Sequence, residues 1–504
     1  MTTQVQTTTA NDRRAAPAGQ EISASSGPAP VPRLFFDLSW SLRWAGPPVG
    51  ILRVERELAR FSLTKSSAIG AFFDPETRSY VALDRSTTAR FLSGDAVLDT
   101  LGLRDPGRTG KRKSDLIPKP LRGVARWLLQ FRHSLLQALE RRRLSTQSAG
   151  EANLLDRLQR RLMWGKYRAF MLKPDGTRRD FLAVDRLGAT PIDFRPDDVL
   201  VCAGAGWTHT DISSIREQKQ AAPFRLVLMC YDIIPLLFPQ FYKPHDVAAF
   251  ERYFGVAFAL ADVVVFTSRS ALTDATAWCA QRRITIRRSA VVPLGADVPD
   301  TRATNLERLP AGLIPGRFAL FVSTIEPRKG HRLLYETWLR LLADGVPQKT
   351  GFKLVFVGRK GWLVDDLVRT LDTDELIAGT LLRLEHADDA TVRTLYAGAA
   401  FCCYPSLYEG YGLPLVEAFY FGKAVLASTG GALPEVARDF SPCLDPNDPD
   451  AWYDMMRLWI EDPEARASYE KRIADSFDHP SWDSAAGEFF ARAMESIQET
   501  IDRS

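Results

Sequence analysis

Cysteine is scarce in this chain and poorly arranged for cross-linking. The six cysteines fall at 202, 230, 279, 402, 403 and 443, with no C-x-x-C pair and no disulfide-like spacing. A stapled secreted scaffold is therefore a poor reading, and reduced thiols in or near a core are expected. Histidine is equally sparse, and its six positions (133, 209, 245, 331, 386, 479) show no ligand spacing, so no zinc site is expected. No apolar run approaches the ~20 residues of a membrane span. The N-terminal segment lacks the apolar stretch of a secretory leader. These absences lead to the expectation of a protein on the cytoplasmic side.

The chain has 504 residues, 45% hydrophobic and 25% charged, too long for one ordinary core and of soluble globular composition. Residues 1–32 are rich in Thr, Ala, Ser, Pro and Gly, cannot bury a core, and read as a disordered tail. Order is expected from Arg33-Leu34-Phe35-Phe36-Asp37-Leu38, a first strand. A Gly/Pro loop ending at Gly50 follows, then a helix with Ile51, Val54, Leu58 and Phe61 on one face. Further strands are expected at 199–203, 225–230, 263–267 and 290–293, with helices near 247–261 and 269–281. A second series has strands at 318–323, 353–357, 380–384, 399–404 and 424–428. Strands alternating with helices predict an α/β protein with parallel, doubly wound sheets. Ligands bind such sheets beyond the carboxyl ends of the strands, where the loops 323–330, 358–361 and 405–413 lie.

The densest chemistry follows the strand ending at Tyr404. In Tyr404-Pro405-Ser406-Leu407-Tyr408-Glu409-Gly410-Tyr411-Gly412-Leu413-Pro414-Leu415-Val416-Glu417, two carboxylates with seven residues between them flank a Gly-Tyr-Gly turn. Pro414 reads as the first helical residue, which places Glu417 in the first helical turn and Glu409 on the preceding loop. Glycines let backbone approach a ligand, and a helix N-terminus presents free N–H groups to an anion. Carboxylates able to chelate vicinal hydroxyls, beside an anion cradle, suit a sugar nucleotide.

The stretch resembles the Glu-x7-Glu motif of retaining glycosyltransferases of family 4. Further matches in family order are Phe321-Val322-Ser323-Thr324-Ile325-Glu326-Pro327-Arg328-Lys329-Gly330-His331, Leu354-Val355-Phe356-Val357-Gly358-Arg359-Lys360-Gly361-Trp362, Leu395-Tyr396 and Gly430-Gly431-Ala432-Leu433-Pro434-Glu435-Val436. The first half matches more loosely, at Gly50–Glu55, Tyr231–Pro235 and Val292–Asp297. The resemblance implies the GT-B fold, two Rossmann-like domains facing across a cleft. Residues 33–300 would form the acceptor-side domain and 301–480 the nucleotide-sugar domain, with a helix from 481–504 returning to the first. It implies that Lys329 and Arg328 contact the donor phosphates, that Glu409 contacts the donor sugar, and that Glu417 holds the ribose hydroxyls. Backbone at Tyr411, Gly412 and Leu413 would lie near sugar and phosphate, with the loops at Gly50 and Gly358 beside them. Asp232 would act from the first domain, following Tyr231 where many relatives carry His. A tyrosine, of pKa ~10, is a poor base near neutral pH. No general base is assigned, and the departing phosphate is expected to help deprotonate the acceptor. Asp232 reads equally well as a turn-stabilising residue, and Arg53 as a cleft residue or a solvated one.

No cofactor or metal is implied beyond the donor substrate. Asp448-Pro449-Asp450 and Asp372-Thr373-Asp374 have the D-x-D form but read as turn or cap residues. The Tyr231–Pro235 and Gly358–Trp362 matches look most like bacterial mannosyltransferases of O-antigen, capsule or exopolysaccharide assembly, which points to GDP-mannose as donor and a lipid-linked glycan as acceptor. The rivals are another donor (UDP-glucose, UDP-galactose or a deoxysugar nucleotide) and a catalytically silent scaffold or glycan-binding protein.

Residues 104–168 break the pattern. They hold 17 Lys/Arg against 5 Asp/Glu, a net of +12, whereas the whole chain is +4 (65 − 61), leaving about −8 elsewhere. Within them Leu121, Val124, Leu128, Phe131, Leu135 and Leu139 mark one helical face, with Trp127 near it and Arg122, Arg126, Arg132 and Arg141–Arg143 around it. A basic amphipathic helix over 120–143 suits an anionic membrane surface, or a helical insertion packed on its domain. Nucleic acid is not expected, because no recognition module accompanies the charge.

Overall fold

The computed structural model describes residues 32–44, 50–98, 187–297 and 305–501, with scattered positions between 118 and 182. The expected N-terminal tail and most of the basic insertion lie outside these residues. Arg33–Ser504 form one compact unit.

In chain order the first sheet is built from β1 (Leu34–Asp37), β2 (Ile69–Asp74), β3 (Ser79–Ala82), β6 (Thr190–Pro191), β7 (Val199–Cys202), β8 (Arg225–Cys230), β9 (Val263–Phe266) and β10 (Ser289–Val291). A separate parallel pair, β4 (Ala96–Leu98) with β5 (Asp180–Leu182), brackets the basic insertion. The eight strands run β10-β9-β8-β7-β1-β2-β3-β6, parallel except where β3 pairs with β2 and β6. The Val/Leu/Phe runs of β1, β7, β8 and β9 are buried almost throughout because helices cover both faces of a parallel sheet. Two apolar clusters flank it. One gathers Val54 and Leu58 of the helix Ile51–Lys65, and the other gathers Phe250, Phe254 and Phe258 of the helix Pro244–Leu260.

The second sheet is β13-β12-β11-β14-β15-β16, from β11 (Phe318–Val322), β12 (Lys353–Val357), β13 (Leu381–Leu384), β14 (Phe401–Tyr404), β15 (Val425–Ser428) and β16 (Cys443–Leu444), all parallel. This is the doubly wound order in which the first strand lies beside the fourth, so the chain reverses direction across the sheet between β11 and β14. The helix Trp482–Ile501 leaves this half of the chain and packs Trp482, Ala486, Phe489, Ala493 and Ile497 into the core of the first sheet. The two Rossmann-like halves meet at the carboxyl ends of their strands, the GT-B architecture.

The expected strands of both sheets are present within one or two residues. The hairpin β2–β3, the short β4, β5, β6 and β16 and the helix Arg85–Leu92 were not foreseen. Most are short, and only Ser66, Ser67 and Ala68, with neither Gly nor Pro, separate β2 from the helix before it.

Candidate active site

The crevice at the β11/β14 switch point collects the charged residues. After β11 the chain turns through Ser323–Glu326 into a single 3-10 turn, Pro327–Lys329. It then reaches Gly330, whose left-handed backbone (φ 82) starts the helix His331–Ala343. Gly330 is required there, since a Cβ would run into Pro405 of the facing loop. After β14 the loop 405–412 leads into the helix Leu413–Tyr420. The hydrogen bond from Leu407 N to the Arg328 carbonyl, 2.7 Å, ties the two loops together.

Lys329 Nζ lies 2.7 Å from Glu409 Oε1, and Arg328 Nη1 lies 2.9 Å from Glu409 Oε2. The same guanidinium donates to the Tyr408 carbonyl at 2.9 Å. Burial opposes ionisation of Glu409, but the two cations overcome it and hold its pKa down to about 2. Lys329 is pushed down by burial and by Arg328. For Arg328 burial works against the charge, and Glu409, Tyr242 and Glu326 more than offset it. Arg328 Nε and Glu326 Oε2 face each other at 3.6 Å, and each lacks a hydrogen-bond partner. A buried charged donor without a partner is expensive unless a ligand or water serves it.

Asp232 joins this group from the first domain. It is buried, which raises its pKa, and Arg328 is the strongest influence in the opposite sense. Its Oδ1 accepts from Ile234 N at 3.0 Å, the turn-stabilising role, while its carboxylate faces Gly410, where a Cβ would come within 2.7 Å of Oδ2. Tyr231 does not face the crevice: its hydroxyl donates to the Ala203 carbonyl at 2.5 Å, and burial drives its pKa well up.

Glu417 sits apart from this cluster. The helix begins at Leu413, so Pro414 is its second residue and Glu417 its fifth, beyond the first turn expected for it. The one-residue shift follows from Gly412, whose positive φ (112) already caps the helix. A simple preference for the helix dipole fades beyond the first turn, which weakens that explanation of Glu417. Burial raises its pKa, opposed mainly by Arg53, 3.9 Å away. Tyr396 donates to it at 3.3 Å. Arg53 thus reaches across the domains, pairs with Asp297 at 2.5 Å and lies over the Trp482 ring.

The remaining expected residues divide. Tyr411 and Leu413 pack against the first domain's core, and the Tyr411 hydroxyl contacts the Leu294 carbonyl and His479, both at 3.4 Å. The first-turn N–H of Leu413 is one that a helix cannot satisfy internally. Gly50 caps the helix Ile51–Lys65 with φ 55, and a Cβ there would meet open space. The N–H of Gly358 is already bonded to the Leu384 carbonyl at 3.0 Å, and a Cβ there would overlap Ser323. Its place in the structure is to seat the loop 323–330 rather than to offer a donor of its own.

Sequence reasoning missed Glu326 and Tyr242. Glu326 was visible only as a neighbour of Arg328, and nothing in the sequence signals its burial. Tyr242 comes from a loop of the first domain, and its electrostatic coupling to Arg328 arises only once the halves meet. The D-x-D aspartates have local work. Asp448 accepts from Asp450 N and Ala451 N at a helix start, Asp372 pairs with Arg383, and Asp374 accepts from Leu376 N.

The doubly wound second domain thus brings two cations and a carboxylate together at its switch point. Residues 315–475 match the family model described as glycosyl transferases group 1. The serotype-specific mannosyltransferase WbdA of Escherichia coli is 28% identical over 279 residues, 52% of this chain and 32% of that protein. The O-antigen chain mannosyltransferase B of Escherichia coli is 38% identical over 134 residues, 27% of this chain and 34% of that protein. This chain spans about a third of the length of these curated relatives. Among solved structures, a trehalose-6-phosphate synthase aligns at 14% identity and TM-score 0.48, covering 60% of this chain and 74% of that one. A sucrose-phosphate synthase from Thermosynechococcus elongatus aligns at 20% identity and TM-score 0.44, covering 61% and 74%.

Proposed function

We propose that this protein transfers a hexose from a nucleotide-activated sugar to a glycan, with retention of configuration and without a metal ion. The observation that carries the reading is the convergence of Lys329, Arg328 and Glu409 at the switch point, with Arg328 Nε making no hydrogen bond. A diphosphate leaving group gathers charge as the glycosidic bond breaks, and fixed cations in a buried site stabilise that charge strongly. Arg328 is suited to bidentate contact and Lys329 to a point charge. Glu417, one turn into the helix Leu413–Tyr420, would hold the ribose hydroxyls in this reading. With Tyr231 turned into the core there is no side-chain base from that position. The leaving phosphate would take the acceptor proton as the hydroxyl attacks the same face of the sugar.

Within this reading the donor is GDP-mannose and the acceptor a lipid-linked glycan of a bacterial surface polysaccharide, assembled at the inner face of the cell membrane. The mannosyltransferase relatives support this choice. Calorimetry of the purified chain with GDP, UDP and dTDP, then with their sugars, in EDTA, tests it. Selective binding of GDP and GDP-mannose supports mannose, and selection of another nucleotide discards it. No binding by a folded sample removes the enzyme reading in favour of a scaffold.

A further inference from the structure

The basic insertion carries an apolar helix face with no partner among the described residues. Every described position from Gly123 to Arg142 is helical. Leu121, Val124, Trp127, Leu128, Phe131 and Leu135 are between 42% and 61% exposed, a clustered run where the two domains expose such side chains only singly, as at Ile314 and Leu376. Trp127 and Phe131 stack on each other at 5.9 Å, in the solvent. The described part of this face is therefore not packed on its own domain. So large an exposed apolar stripe on one helix marks a contact surface.

Charge and composition select the occupant. The surrounding residues 104–168 carry a net of +12, so a second copy of the same face would meet strong repulsion. The N-terminal 32 residues are too poor in large apolar side chains to cover it, with Val5, Ile22 and Val31 their only Val, Leu or Ile residues. An anionic bilayer offers both a negative surface for the arginines and an apolar layer for Trp127, Leu128 and Phe131. We propose that this helix lies in the interface of an anionic membrane, its apolar face down, and holds the enzyme on that surface. At the base of the insertion β4 and β5 pair side by side, and Arg179 donates to the Gly94 carbonyl.

The test is co-sedimentation of the full chain with phosphatidylcholine vesicles, with and without phosphatidylglycerol, in the absence of any sugar nucleotide. Its outcome is thus independent of the donor assignment. The wild-type chain is expected on the anionic vesicles, with binding that falls as salt screens the headgroups. The combined Trp127→Ser, Leu128→Ser and Phe131→Ser variant should lose roughly tenfold or more in partitioning. Arg122→Glu, Arg126→Glu and Arg132→Glu together should do the same. The replaced apolar residues face solvent, so thermal unfolding should be unchanged, which separates lost docking from lost folding. Absence of binding to anionic vesicles, or binding that survives both sets of changes, overturns the proposal. So does a concentration-dependent dimer that the serine variant abolishes while vesicles capture nothing.

Discussion

Lys329 and Glu409, 80 positions apart in sequence, form a buried ion pair at 2.7 Å. Two loops from adjacent strands close on one another through it. On the proposed function the pair also sets a competition, because a donor diphosphate would share or displace the carboxylate that now occupies the lysine.

Glu409→Gln relieves that competition. Binding of the free nucleoside diphosphate is expected to hold or tighten by up to roughly tenfold, since the anion no longer shares Lys329 and Arg328. Sugar transfer should fall, because the donor-sugar contact is lost. Calorimetry and a transfer assay on the same preparation read the two effects. A parallel loss of both would show Glu409 to be only a scaffold for the loop.

Lys329→Met removes the other partner. Glu409 keeps Arg328, so the destabilisation should stay at roughly 1–3 kcal/mol, below that of a fully orphaned buried charge. Nucleotide affinity should drop roughly tenfold to a hundredfold. Denaturant unfolding and calorimetry measure these separately, and unchanged affinity would place the phosphates elsewhere.

Glu417→Ala should weaken nucleotide binding by ~1–3 kcal/mol through lost hydrogen bonds to the ribose. Arg53→Ala, which removes the cation facing it, should produce a smaller loss. An unchanged dissociation constant for Glu417→Ala would end its assignment.

Glu55 gives the pH dependence. It is buried in the helix Ile51–Lys65, accepts from Ser41 N at 2.9 Å on one oxygen and has no partner on the other. Burial, reinforced by Asp37 and opposed by Ser41, raises its pKa to about 8. The folded state therefore binds a proton that the unfolded chain releases near its ordinary value of 4.5. This contribution to stability is full below the unfolded pKa and is lost as pH rises towards 8. Glu55→Gln should flatten that part of the Tm–pH curve and leave the protein more stable than wild type above pH 8, by roughly 1–3 kcal/mol. Thermal unfolding across that range is the measurement, and an unaltered slope would refute the buried carboxyl as its source.

Gly410→Ala should act on the contact between the two halves. Its carbonyl accepts from Thr267 Oγ1 at 3.2 Å and Ser268 Oγ at 3.0 Å, and an added methyl would press on Asp232 and the Tyr231 carbonyl. A loss of about 1–3 kcal/mol is expected, with reduced transfer and nearly retained nucleotide affinity, read by unfolding and by steady-state kinetics.

The sequence by itself determined the layered architecture. The apolar runs of β11, β12, β14 and β15 are buried almost throughout, so hydrophobic patterning places them within a residue or two. The motif loops then follow from strand ends: Arg328, Lys329 and Glu409 were legible because each lies just after a strand, where an open parallel sheet must hold its ligand. Tertiary structure alone decided which side chains meet. Tyr231 reads as a site residue but turns to Ala203, because its ring completes the first domain's core. Gly358 reads as part of a loop beside the sugar nucleotide, and its N–H is bonded to the Leu384 carbonyl. Tyr242 and Arg53 reach the cleft through contacts between segments far apart in sequence. The insertion's apolar stripe was legible as a period, whereas its exposure was not. Periodicity specifies a helical face, and only the packed structure reveals whether anything is there to cover it.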